Sequence, residues 1–98
     1  MRTHKLKTWP SFFEALREGS KTYEVRRNDR DFAVGDLLDL REWEPDGVGH
    51  WTGRAEYRVV THILHGGDFG IERGYCVMAI SPSPVGQVLA DLAKDGEA

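Results

Sequence analysis

A run of twelve residues, Arg54 to His65 (RAEYRVVTHILH), constrains the fold more than any other stretch of the chain. Ala55, Tyr57, Val59, Thr61 and Ile63 fall on one side of it. Glu56, Arg58, Val60, His62 and Leu64 fall on the other. A period of two belongs to a strand and not to a helix. Glycine and proline cut the rest of the chain into shorter runs. His4–Thr8 sets His4, Leu6 and Thr8 against Lys5 and Lys7. Lys21–Arg27 and Leu37–Trp43 read as two more strands, and Tyr75–Ser81 (YCVMAIS), apolar on both faces, as an interior one. Glu44–Gly53, with a proline and three glycines, reads as a hairpin loop, and Gly66–Gly70 as a flexible one.

One segment departs from this pattern. Trp9-Pro10 ends the first strand, because proline lacks an amide donor. Ser11 and Glu14 then stand at capping-box spacing, Phe12, Phe13 and Leu16 recur at helical spacing, and Gly19 supplies a helix stop. A helix is predicted over Ser11–Glu18. Five to six strands and one N-terminal helix make a mixed α+β, mainly β fold, a small barrel or curled sheet. Residues 1–81 form this domain. Ser81-Pro82-Ser83-Pro84 begins a tail, residues 82–98, in which Val85, Val88, Leu89 and Leu92 predict either a C-terminal helix or a frayed end.

A chain of 98 residues accommodates one domain, and an apolar share of 40% with ten aromatics excludes a disordered coil. The single cysteine, Cys76, forms no internal disulfide and reads as a small core residue. No apolar run reaches membrane-spanning length, and the first ten residues lack a signal-peptide core. These features predict a cytoplasmic protein without a membrane partner. His62 and His65 fall on opposite faces of their strand, so no metal site and no cofactor are predicted.

Charge is uneven. Residues 1–30 carry eight Lys or Arg against four Asp or Glu, and the remainder five against twelve. The basic third centres on Gly19–Arg30 (GSKTYEVRRNDR). Alternation puts Thr22, Glu24 and Arg26 on one face, toward solvent or a cleft, and Tyr23 and Val25 inward. Three arginines in five residues favour an anion-binding wall, since guanidinium forks suit phosphate. Equally, Arg27 and Arg30 can pin the following loop by pairing with Asp29, Asp31 and Asp36. Phe32 and Val34 are expected to tuck under that loop. Lys21, if partly buried, can act as base or nucleophile, or it simply pairs with Glu24. Trp51, in the glycine-rich loop, is the tryptophan expected to be exposed, as a platform for a base. Trp9 can serve as such a platform too, but the favoured expectation for Trp9 and Trp43, at chain bends, is the core.

Gly19-Ser20-Lys21-Thr22-Tyr23-Glu24-Val25-Arg26 has the form GxKxxExR. It resembles the signature of the ASCH domains, which have a PUA-like β-barrel fold. The resemblance extends to a bacterial and phage group of unknown function in that superfamily. It takes in His4-Lys5-Leu6-Lys7, Trp9-Pro10 with Phe13, Arg26 to Phe32, Val34-Gly35-Asp36, Leu40 with Glu42-Trp43, Tyr57, Ile63-Leu64 and Gly74-Tyr75. It implies a cleft beside the barrel suited to RNA or a nucleotide-sized ligand. Some ASCH relatives are amidohydrolases acting on acylated cytidine through a lysine at the Lys21 position, a threonine and a distant glutamate. Here Glu24 stands at the position of that threonine. The expectation is therefore an RNA-binding or nucleotide-binding module, lined by Lys21, Thr22, Glu24, Arg26 and Arg27, with Lys5, Lys7 and Trp51 at the rim. The alternative is a small hydrolase, an amidohydrolase or ribonuclease, with Lys21 and Glu24 catalytic. A third reading is a protein partner held by the tail.

Overall fold

A computed structural model describes residues 1–84 together with Val88 and Leu92. Its elements run β1 (Thr3–Thr8), α1 (Pro10–Glu18), β2 (Tyr23–Arg27), β3 (Leu37–Glu44), β4 (His50–His65) and β5 (Tyr75–Pro82). The strands form one sheet in the order β1-β3-β4-β5-β2. Only β1 and β3 run parallel; the other neighbours are antiparallel. The fold is small and mainly β, with one helix and a curled five-stranded sheet shaped as a half-barrel. As expected for its apolar sequence, β5 is paired on both sides. The predicted tail helix falls outside the described residues, except that Val88 and Leu92 are exposed. No helix among the described residues is long and apolar enough to cross a membrane.

Two irregularities make the sheet curl. The register shifts between Arg41 and Trp43 against β4, and between Val60 and His62 against β5. An extra residue in one strand bends it and increases its twist. The second shift also breaks the alternation expected of β4. Val60 stands opposite Ile80 and Ile63 opposite Met78. Val60 and Ile63 therefore share a face, although strict alternation separates them. That face holds the core: Leu6, Leu16, Phe32, Leu38, Leu40, Val60, Cys76, Met78 and Ile80, with Ile63 packed against them. Burial pushes the Cys76 thiol up, which keeps it protonated and inert.

The β3–β4 turn is tighter than the sequence suggests, because β4 begins at His50 and not at Arg54. Gly49 is required there. It has φ of 79°, and a Cβ on it would lie 2.4 Å from the Trp43 ring.

The helix begins one residue earlier than predicted, and the capping box does not form. Trp9 is the N-cap, extended at φ −70°, ψ 151°, and contributes no side-chain cap. The residue before a proline is driven to such angles, and Pro10 at the first helical position has no amide to satisfy. Glu14 instead binds Arg54 at 2.6 Å. Gly19 ends the helix in the left-handed region at φ 84°, as expected. Phe13 and Leu16 are buried, but Phe12 is exposed rather than part of the buried face. Arg58 Nη2 donates to the Leu16 carbonyl at 2.7 Å, tying the last helical turn to β4.

The two edges of the sheet meet through side chains. Arg26 Nη2 donates to the Lys7 carbonyl at 3.0 Å, and Arg30 Nη1 to the Lys5 carbonyl at 2.7 Å. These are alternate residues of β1, which pairs with a strand on one side only. Guanidinium groups thus take the place of a ladder at the seam, and a bare strand edge is covered. Arg30 is structural, as one reading of the sequence had it, but its partner is a backbone carbonyl and not a neighbouring acid. Asp36 is bound elsewhere, by His4 Nε2 at 2.8 Å and by the Arg2 and Ala33 amides. Burial alone would raise this carboxyl; the hydrogen bonds outweigh it and hold it below its ordinary value. Phe32 is buried under the loop as expected, whereas Val34 is exposed.

Candidate functional site

The seam leaves a cleft of about 320 Å³ at its α1 end, lined by Lys7, Thr8, Trp9, Phe12, Lys21, Tyr23, Glu24, Val25 and Arg26. Three elements build it. The end of β1 and the N-terminus of α1 supply one wall and β2 the other. The Lys21 amide donates to the Ala15 carbonyl at 3.0 Å, which sets the approach to β2 against the helix.

Glu24 and Arg26 face a cleft, as one expectation had it, but the core-facing side of β2 is theirs and not that of Tyr23 and Val25. Tyr23 and Val25 are about half exposed, and Glu24 is 3% exposed. Pairing with β5 decides this. Glu24 stands opposite Met78 and Arg26 opposite Cys76, both core residues, so the charged side chains share the concave face with the core. Hydrophobicity alone would have put Tyr23 and Val25 there.

A buried carboxylate needs partners. Glu24 has one cation for each oxygen. Lys21 Nζ contacts Oε1, and Arg26 Nε donates to Oε2 at 2.8 Å. Lys21 Nζ also donates to the Tyr23 carbonyl at 2.6 Å. It lies 4.9 Å from the centre of the Tyr23 ring and 5.7 Å from that of Phe12. The pairing of Lys21 with Glu24, left open by the sequence, is therefore made. An ammonium has three donors and a guanidinium five, so both cations keep donors beyond these bonds. Lys21, Arg26 and Glu24 together carry one net positive charge beside an aromatic rim.

Of the residues predicted for the site, Lys7, Lys21, Glu24 and Arg26 line the cleft. Thr22, Lys5, Arg27 and Trp51 are not among its lining residues. Thr22 is exposed and spends its carbonyl on the Ile80 amide. Lys5 contributes its carbonyl to the seam. Arg27 lies over the Tyr75 ring at 5.7 Å, and a hydrogen bond with Tyr75 raises its guanidinium further above its ordinary value. Trp51 is exposed as expected and packs edge-on against Trp43 at 4.8 Å. Lys7 joins this pair to the cleft, its ammonium 4.0 Å from the Trp43 ring and 5.7 Å from that of Trp51. Trp9, expected in the core, is 54% exposed and belongs to the rim. Thr8, Phe12, Tyr23 and Val25 are cleft residues that the sequence reading missed; Trp9 it named as an alternative platform to Trp51.

Comparison with known proteins places this chain in a family. The DUF3850 model, described as a domain of unknown function, matches residues 3–80. That range takes in every strand but the last two residues of β5, and all of the cleft. An uncharacterized 12.9 kDa protein in the GpA 3′ region of Escherichia phage P2 is 34% identical over 62 residues, which are 63% of this chain and 54% of that protein. The chain thus spans about half the length of this relative.

Proposed function

The chain belongs to the DUF3850 family, and we propose that its cleft binds single-stranded RNA or a nucleotide, taking one unpaired base. One observation carries this reading. Three aromatic rings, Trp9, Phe12 and Tyr23, surround the Lys21–Glu24–Arg26 cluster in a cavity large enough for a ring system but too small for a duplex. Stacking on exposed aromatics supplies affinity, and the spare donors of Lys21 and Arg26 meet phosphate or sugar oxygens. The resemblance to ASCH domains points the same way. On the same grounds we read the half-barrel as an ASCH-type, PUA-like fold in a cytoplasmic bacterial or phage protein. Titration calorimetry with short single-stranded RNAs and mononucleotides tests the proposal. Micromolar to millimolar binding that weakens steeply with salt is expected. No heat from any RNA or nucleotide at low salt overturns it.

A second reading, a small hydrolase, is favoured by the direct contact of Lys21 Nζ with Glu24 inside the cleft. In it Lys21 positions or attacks and Glu24 transfers a proton. Turnover of acylated cytidine or RNA, lost in Lys21→Ala and Glu24→Gln, supports it. Silence across a broad nucleoside panel rules against it.

A further inference from the structure

Thr8 is 2% exposed, and among the described residues its hydroxyl has no hydrogen-bond partner. It stands out on its own face of the sheet. His4, four residues back on the same strand, is satisfied by Asp36. Glu42, directly across the ladder from Thr8, accepts from Thr52 at 2.7 Å and from Arg54, and spends neither oxygen on Thr8. The fold therefore satisfies the neighbouring buried polar groups and leaves this hydroxyl without a bond. A buried hydroxyl with no partner costs stability, and valine would fill the same volume without that cost. Thr8 also lines the cleft.

We propose that Thr8 reads the base: its hydroxyl bonds the polar edge of a nucleobase that enters the cleft ring-first. The inference rests on the nucleotide reading of the cleft. The order of entry follows from the charges. The inner groups include a carboxylate, Glu24, both of whose oxygens are already bonded to cations, and a neutral hydroxyl. The carboxylate and the hydroxyl suit a neutral polar edge better than a phosphate, which stays on the more exposed side, toward the spare donors of Arg26. As the cleft stands the hydroxyl is sealed from solvent. Thr8 lines the cleft, so in this reading the base is met by rotation of the hydroxyl to another staggered χ1 well. A hydroxyl both donates and accepts, so it serves either kind of base atom.

The test is Thr8→Val with Thr8→Ser beside it, titrated with the four mononucleotides and with ribose 5-phosphate, and melted in their absence. Thr8→Val is expected to melt at or above the wild-type temperature yet bind its preferred mononucleotide about tenfold more weakly. Thr8→Ser should restore binding, and ribose 5-phosphate should bind poorly to all three proteins. Wild-type affinity in Thr8→Val, or ribose 5-phosphate binding as well as the nucleotides, overturns the role of Thr8 while leaving the cleft reading in place. A drop in melting temperature in Thr8→Val, with unchanged binding, makes the hydroxyl structural and also overturns it. Failure of the wild-type protein to bind any mononucleotide or RNA removes the cleft reading itself, and this inference with it.

Discussion

Two buried glutamates on the concave face of the sheet, Glu42 and Glu24, solve the same physical problem in different ways. Glu42 takes its cation from far along the chain. Arg54 bonds both of its oxygens at 2.8 Å, Thr52 adds a hydroxyl, and Arg54 continues to Glu14 on α1 and lies over the Phe13 ring at 4.8 Å. Hydrogen bonding by Arg54 holds the Glu42 carboxyl below its ordinary value against the opposing effect of burial, and Glu42 and Glu14 in turn raise the Arg54 guanidinium. This cluster clamps the helix to the β3–β4 hairpin. Glu24 takes both cations from within three residues of itself and clamps no distant element on its own account. Its cations keep spare donors, and it opens to a cleft ringed by aromatics. A charge cluster that spends its bonds between distant elements is a fastening. One assembled locally beside a cavity is free to meet a ligand.

Stability measurements put this contrast at risk first. Glu42→Ala is expected to cost about 3 kcal/mol and Glu24→Ala about 1.5 kcal/mol, the upper and lower ends of the usual worth of hydrogen bonds to charged groups. In a domain of this size each kcal/mol lowers the melting temperature by about 4–8 °C. Denaturant titration of the two variants decides it, and an equal or larger loss in Glu24→Ala dissolves the distinction. Binding should rank the other way. Lys21→Ala should weaken nucleotide or RNA affinity about tenfold by calorimetry, the loss of one charge-assisted bond, while Arg73→Ala, exposed and away from the cleft, leaves it unchanged. Equal losses in both would reduce the cleft to general electrostatics.

Acid should loosen the fastenings at Asp36 and Glu42. Asp36 and Glu42 have folded values below their ordinary 3.8 and 4.5. Their stabilisation is therefore complete above that range and is lost as the pH falls through it toward the lower folded values. Unfolding free energy should fall below about pH 4.5, and Glu42→Gln should flatten part of that fall. A pH profile unchanged by the substitution contradicts the assignment. The smallest effect expected is at the aromatics. Trp9→Ala should weaken binding about fivefold, within the range for one stacked base, and Trp51→Ala less. The reverse order in RNA titrations would move the platform from the cleft to the hairpin.

Much of the architecture was legible because it is local. Gly19 ends the helix where a left-handed residue is needed, Pro10 opens it, and β1, β3 and β5 follow from alternation and apolar runs. What could not be read were non-local pairings. The shift at Val60–His62 depends on how β4 meets β5, and it transfers Ile63 to the core face. The faces of β2 depend on Met78 and Cys76 across the ladder, so Tyr23 and Val25 were placed inward when they stand outward. The arginines of β2 and its loop read as a phosphate wall. Arg26 and Arg30 in fact spend donors on the carbonyls of a strand at the other edge of the sheet.

For the candidate site the division is the same. Spacing alone paired Glu24 with Arg26, because residues two apart on a strand share a face; alternation set Lys21 on the other face, and the resemblance to ASCH domains brought it into the site. Only the folded sheet could add Thr8 and Phe12, decide for Trp9 as a rim residue, and remove Thr22, Arg27, Lys5 and Trp51 from the lining. The cleft exists because curling brings the first and second strands of the sequence, which stand at opposite edges of the sheet, within reach of one arginine. Proximity of that kind arises from the sum of twist and bulges over five strands, and no short stretch of sequence contains it.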